Sequence, residues 1–191
     1  MPRYIVLVKH AQPILDAAVA SSHWQLSPEG EDQATRLAQR LAEFMPLSLA
    51  CSRELKARRT AEIVAGELGV SVRVVEGLEE VDRPALPLIP PAEHEQLNAR
   101  IFDDLSSAAI GNESGAQALA RFRAGVIRAL DGVPITDNLV IVSHGTVISL
   151  LVAAHNDIDP MTLWKRLTCP SFVVLTLPDF GLVRSVWHAG R

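Results

Sequence analysis

Apolar positions along this chain follow two rhythms that take turns. Residues 4–8, 47–51, 72–75, 139–142 and 172–177 are short aliphatic runs without strict alternation. That is the pattern of strands covered on both faces, as in a largely parallel sheet. Between them apolar residues recur at helical spacing. Ser27-Pro28-Glu29 opens the first such stretch: the serine can accept from free backbone N–H groups, proline is pre-set for the first helical position, and a carboxylate suits the positive helix end. Ala34, Leu37, Ala38 and Leu41 then share a face, and Met45-Pro46 ends it. A second helix is predicted from Arg53 or Glu54 to Leu68, with Gly69 as its stop. A third covers about 114–130, before Asp131-Gly132-Val133-Pro134, and a fourth about 146–154. Strand and helix alternate, which predicts an α/β fold: a three-layer sandwich with a mostly parallel central sheet and helices on both faces.

One stretch breaks the rhythm. Asp82-Arg83-Pro84, Pro87 and Pro90-Pro91 fall close together, and that density of proline excludes regular structure. The reading is an irregular loop leading into a helix near 93–105, an excursion at about 81–110 within a single domain of residues 1–191. No repeat, low-complexity tract or linker divides the chain. Its 191 residues, 48% hydrophobic and 21% charged, suit a globular protein with a real core. A formal net charge of −4 gives no bulk attraction to nucleic acid or to a membrane surface. The apolar run 139–154 is interrupted by Ser143, His144, Gly145 and Thr146 and is too short for a membrane span. No secretory signal is visible, and Cys51 and Cys169 make neither a disulfide framework nor a metal-ligand cluster. A cytoplasmic protein is expected.

The chemistry gathers where strands end. "YIVLVKH" and "LVIVSHG" are both aliphatic runs that finish in histidine, His10 and His144. Ligands of open α/β sheets sit beyond the carboxyl ends of strands, where the topology switches direction. Each histidine alone reads equally well as a satisfied structural residue, but two at equivalent places favour function. The junction after residues 47–51 adds Ser52, Lys56, Arg58 and Arg59. A helix N-terminus there attracts anions. Arg58 and Arg59 read as a solvated basic face, whereas Lys56, one turn in, joins Lys9 and the two histidines. Such a crevice suits a phosphoryl group, whose transfer depends on positioning and charge stabilisation.

Further blocks complete a pattern. Lys9-His10-Ala11 is followed by Leu26-Ser27-Pro28-Glu29-Gly30-Glu31-Asp32-Gln33-Ala34. Then come Ser52-Arg53-Glu54-Leu55-Lys56-Ala57-Arg58-Arg59-Thr60-Ala61, Leu78-Glu79-Glu80, Glu113-Ser114 and Val142-Ser143-His144-Gly145. In this order they resemble the histidine phosphatase superfamily, the phosphoglycerate-mutase-like phosphatases. The resemblance implies that fold and a phosphomonoester hydrolase acting on a small phosphorylated metabolite, with no metal or organic cofactor. His10 would be the nucleophile that forms a phosphohistidine, His144 would stabilise the transferring group, and Glu80, rather than Glu79, would protonate the leaving alcohol. Lys9, Lys56, Ser52, Gly145 and Asp16 would line the phosphate pocket.

The departures are specific. Lys9 and Lys56 stand where the family carries arginines, and Asp16 where many members carry asparagine. Lysine keeps the charge but lacks the planar fork that grips two phosphate oxygens. Arg83, just after Glu80, is a candidate to replace a lost guanidinium. A phosphoglycerate mutase and a non-catalytic phospho-ligand-binding member are the alternative readings. A Rossmann protein is disfavoured, because no Gly-x-Gly-x-x-Gly follows the first strand. Substrate choice is expected to come from residues 12–24, with His23 and Trp24 at the entrance or packed on the surface, and from the proline-rich excursion. The aliphatic edge at 172–177 makes a homodimer conceivable.

Overall fold

The structure, a computed structural model, describes residues 3–83, 88–108 and 111–190. Among these, six strands form one sheet: β1 (Tyr4–Lys9), β2 (Leu47–Cys51), β3 (Val72–Val74), β4 (Asn138–Ser143), β5 (Ser171–Thr176) and β6 (Leu182–Val186). Their order is β3-β2-β4-β1-β5-β6. The first four in that order run parallel, β5 is antiparallel to β1, and β6 is antiparallel to β5. The helices are α1 (Pro28–Leu41), α2 (Leu55–Leu68), α3 (Pro91–Asp103), α4 (Gly115–Leu130), α5 (Gly145–His155) and α6 (Pro160–Arg166).

The unbroken apolar runs have a direct cause. Val6, Val8, Val140 and Val142 pack against Leu37, Leu41, Ala57, Ala61 and Val64 of α1 and α2. Their neighbours Ile5, Leu7, Leu139 and Ile141 pack on the opposite face against Phe122 and Val126 of α4 and Ile148 and Leu151 of α5. Both faces of the central strands are therefore buried, and the expected three-layer sandwich is observed. Phe122 is fully buried. Phe122→Ala is expected to lower unfolding free energy by about 3–5 kcal/mol, through lost transfer energy and the cavity left behind; urea denaturation checks this.

The helix boundaries follow their local signals. Ser27 accepts from Gly30 N at 3.0 Å. Ser114 and Gln117 form a reciprocal capping box, with bonds of 2.7 and 3.2 Å, that starts α4. Gly69 takes φ +67° and closes α2, a conformation that glycine adopts without the steric cost a side chain brings. The excursion helix begins at Pro91, slightly before the expected 93–105, with the proline in its first turn. Residues 84–87 of the proline-rich loop lie outside the described residues.

Two elements were not anticipated, α6 and β6. α6 has only seven residues, too few to display a helical period. β6 is a partly exposed edge strand with Arg184 and Ser185 among its five residues, so it lacks the apolar run of a buried strand. Its presence corrects the expectation for residues 172–177. β5 lies between β1 and β6, so it offers no free edge for a second copy.

The topology places the site. From β1 the chain passes to α1 on one face of the sheet, and from β4 to α5 on the other, while the two strands lie side by side with Lys9 opposite Ser143. The crevice opened by that divergence lies beyond His10 and His144.

Candidate active site

His10 and His144 follow directly on β1 and β4, and their ring centroids are 5.3 Å apart. The backbone N–H of His10 donates to Ser143 O at 3.1 Å, which locks the two strand ends together. His10 Nδ1 lies 2.8 Å from Ala11 O. A carbonyl can only accept, so Nδ1 carries the proton and Nε2 keeps the lone pair. Burial, reinforced by His144 and Lys56, holds the His10 pKa well below the usual imidazole range. The ring is therefore neutral near pH 7.

His144 is almost fully buried. Its Nε2 is 3.0 Å from Ser52 Oγ and 3.4 Å from Glu54 Oε1, while its Nδ1 is buried without a partner. Burial, then Lys56, pushes its pKa well below the usual range, against an opposing pull from Glu80. Two histidines buried neutral have a stability consequence. Below about pH 6.5 the unfolded chain binds protons that these rings refuse in the fold, so stability must decline as pH falls through that value. A lower urea midpoint at pH 5.5 than at pH 7.5, with less decline in a His10→Gln, His144→Gln double variant, is the expected result.

The cations are engaged from within the protein. Lys9 Nζ donates to Leu167 O at 2.6 Å. Gly145, the first residue of α5, passes close to it; an added Cβ would sit 3.4 Å from that nitrogen. Lys56 is the second residue of α2 and is buried. Its Nζ donates to Ser21 O at 2.7 Å and pairs with Glu54 Oε2 at 2.5 Å. Trp24 lies beside it, with the ring centroid 5.9 Å from Nζ, whereas His23 is exposed. Thr60 ties α2 to the loop after His10 by accepting from Ala11 N at 3.0 Å and donating to Lys56 O at 2.7 Å.

Glu79 and Glu80, separable in sequence only by register, point to different places. Glu79 pairs with Arg53 at 3.0 Å and Arg121 at 3.6 Å. Glu80 reaches the start of α5, where Oε2 accepts from Thr146 N at 3.1 Å and Oε1 from Val147 N at 3.2 Å. Burial alone would raise the Glu80 pKa, but His144, Arg83 and the backbone N–H groups outweigh it and hold the carboxyl below its ordinary value. Arg121 clamps this loop by donating to the carbonyls of Gly77, Glu79 and Glu80 at 3.0–3.1 Å while pairing with Glu113. In the sequence, Glu113 is marked only by its motif position beside Ser114, and Arg121 is not marked at all.

Arg83 also enters the site. Its Nη2 donates to Asn98 Oδ1 at 2.7 Å and Thr146 Oγ1 at 3.2 Å, and its Nε is buried without a partner. Asp16 behaves otherwise: it is exposed, and its carboxylate accepts from Ala18 N at 2.8 Å within its own loop. Arg58 and Arg59 are exposed and paired with Glu62 and Glu31, each at 2.8 Å. Glu54, overlooked in the sequence, is the unexpected member. An acidic residue at a helix start is commonplace, so nothing flagged it. Among the described residues no group of three or more His, Cys, Asp or Glu side chains could hold a metal ion, and no helix is long and apolar enough to cross a membrane.

Neutral paired histidines at a strand-end crevice, with cations and the carboxylates of Glu54 and Glu80 beside them, place the chain among α/β enzymes of the histidine phosphatase kind. The family model of the histidine phosphatase superfamily (branch 1) matches residues 5–184, and the chain belongs to that family. It is similar to a probable phosphoglycerate mutase, GpmB, of Erwinia tasmaniensis, at 27% identity over 156 residues covering 78% of this chain and 73% of the relative. Among solved structures it resembles a mycobacterial glucosyl-3-phosphoglycerate phosphatase, with TM-score 0.74, 23% identity and coverage of 98% of this chain and 99% of that one. A phosphoserine phosphatase mutant from Entamoeba histolytica, in complex with phosphoserine, gives TM-score 0.70 at 16% identity, covering 99% and 98%. At such identities the structural likeness establishes the fold.

Proposed function

We propose that this protein hydrolyses the phosphomonoester of a small metabolite through a phosphohistidine on His10. The observation that carries this reading is the tautomer of His10. The bond from Nδ1 to Ala11 O leaves a lone pair on Nε2 of a neutral ring, facing the crevice shared with His144. Nε2 attacks phosphorus as the bond to the ester oxygen breaks, and water then attacks the phosphohistidine to release phosphate. Lys9, Lys56, Arg83 and His144 stabilise the phosphoryl oxygens. Glu80 gives its proton to the leaving oxygen. Because Glu80 is ionised in the free protein, it acquires that proton when an incoming phosphoryl dianion raises its pKa.

The test is release of phosphate from an aryl phosphate and a panel of sugar and hydroxy-acid phosphates, with His10→Ala as control. Turnover that survives His10→Ala refutes the mechanism. Phosphate moving between hydroxyls of a phosphoglycerate without release indicates a mutase, a reading favoured by the named function of the Erwinia relative. Saturable ester binding without turnover indicates a binding protein. The engagement of both ammonium groups by Leu167 O, Ser21 O and Glu54 favours that outcome over the mutase.

Arg83 carries a separate prediction. Its unpartnered Nε and its place beside Glu80 suit an oxygen of the ligand. Arg83→Ala is expected to weaken inorganic phosphate binding as severely as Lys56→Ala, roughly tenfold to a hundredfold for each lost charge-assisted bond. Titration calorimetry measures both, and an unchanged affinity in Arg83→Ala removes it from the site.

A further inference from the structure

Glu54 has no part in the steps above, yet its carboxylate is nearly enclosed, with the residue 7% exposed. A buried carboxylate is costly unless paired. This one touches three members of the site. Oε2 is 2.5 Å from Lys56 Nζ, while Oε1 accepts from Glu80 N at 2.8 Å and lies 3.4 Å from His144 Nε2.

We propose that Glu54 is a positioning residue that allows His144 to become a cation, and so a hydrogen-bond donor, when a phosphoryl group binds. The inference rests on the phosphoryl site proposed above but not on hydrolysis. Nε2 of His144 faces two oxygens able to accept, Ser52 Oγ at 3.0 Å and Glu54 Oε1 at 3.4 Å. Ser52 Oγ is itself oriented by Glu54 N, which donates to it at 3.3 Å. A carboxylate oxygen can only accept, so in facing Glu54 Oε1 the neutral ring holds its proton on Nε2, and the buried, unpartnered Nδ1 is a bare lone pair. A lone pair repels a phosphoryl oxygen. Nδ1 becomes a donor only by taking a proton, from solvent or from the P–OH of a monoanionic ester. The resulting imidazolium then has Glu54 as counter-ion on its far side. A carboxylate behind an imidazole fixes the ring and stabilises its cationic form.

The remaining charges around the ring decide when this happens. Lys9, from β1, and Lys56, from α2, oppose protonation together with burial and Arg121 of α4. Glu80 favours it. His10 faces the ring at 5.3 Å, and Arg83 sits beside Glu80 and Glu54. In the free protein the opposing group prevails and His144 is neutral. A bound dianion reverses the balance, and Glu54 holds the ring in place for it. The pocket thereby gains a further cationic donor, beside Arg83, where lysines stand in place of forked guanidiniums.

A bystander role for Glu54 predicts the opposite sign. If it merely neutralised Lys56, removing its charge would strengthen anion binding. The experiment records side-chain 15N–1H spectra of the full chain with and without inorganic phosphate at pH 7.5, with His144 assigned through His144→Gln. In the wild type both ring nitrogens of His144 are expected to be protonated only when phosphate is bound. In Glu54→Gln the ring stays neutral and phosphate binds about tenfold more weakly. Glu54→Asp keeps the charge but widens the gap to Nε2, and is expected to lower the pH at which the liganded ring deprotonates. Equal or tighter phosphate binding by Glu54→Gln, a liganded His144 that remains neutral in the wild type, or an unchanged midpoint in Glu54→Asp each overturns the inference. Imidazolium formation in a wild type that turns over no ester supports it while refuting hydrolysis. A wild type that binds no phosphate refutes both.

Discussion

His10→Ala is expected to abolish phosphate release, with kcat falling on the order of 10⁴-fold or more, the scale seen when a catalytic nucleophile is removed. The same variant should lose acid-labile label after brief incubation with a 32P-labelled ester, because a phosphoramidate bond forms only on that imidazole. Inorganic phosphate should still bind, since Lys9, Lys56, Arg83 and His144 remain. Alanine deletes the bond from Nδ1 to Ala11 O but leaves the backbone bond to Ser143 O, so the strand ends stay paired and the loss reports chemistry rather than collapse. The neutral state of His10 adds a pH signature. With its pKa held well below the imidazole range by burial, His144 and Lys56, the acid limb of kcat/KM due to this residue lies below about pH 6.5. An acid limb centred above that value would mean that the nucleophile is not the buried ring.

How far the sequence carries can be judged residue by residue. The central strands are legible because β1 and β4 are covered on both faces, which forces an unbroken aliphatic run. β6 escapes because an edge strand tolerates Arg184, paired with Glu43 in the structure. The histidines are legible because a strand end is a fixed address, and a buried run stopping at an imidazole leaves few explanations. Asp16 is the contrasting case. Its position in a motif suggested the pocket, but a loop side chain can turn either way, and this one satisfies its own backbone at Ala18. Glu54 is invisible for a physical reason. Its meaning depends on Lys56 folding back across two residues and on His144 arriving from β4, ninety positions later. Local sequence encodes the helix start, and only tertiary contact turns that carboxylate into part of the site. Arg83 falls between these cases. Proximity to Glu80 placed it near the chemistry, but the bonds to Asn98 and Thr146 that aim it come from α3 and α5.

Glu80→Gln is expected to lower kcat by about 10²–10⁴-fold on alkyl phosphates, the usual contribution of a positioned general acid, while sparing an aryl phosphate whose phenolate leaves without help. That contrast separates proton donation from support of the fold. Glu80 accepts from Thr146 N and Val147 N at the start of α5. A glutamine there keeps one carbonyl oxygen but turns an NH2 towards a backbone N–H, leaving that donor unmatched at a cost of about 1–3 kcal/mol. A displaced α5 would also shift His144, its N-terminal neighbour, and slow every substrate alike. An equal loss on alkyl and aryl esters would therefore assign Glu80 to holding α5 and His144 in place, and the proton for the leaving oxygen would have to come from elsewhere. A loss that grows with the basicity of the leaving group, while phosphate binding stays within a few-fold of the wild type, would assign the proton to Glu80 itself. The second outcome is the one the charges favour. Arg83 and the backbone N–H groups of Thr146 and Val81 hold Glu80 ionised in the free site, and an arriving phosphoryl dianion is the perturbation that returns a proton to it at the moment the ester oxygen needs one.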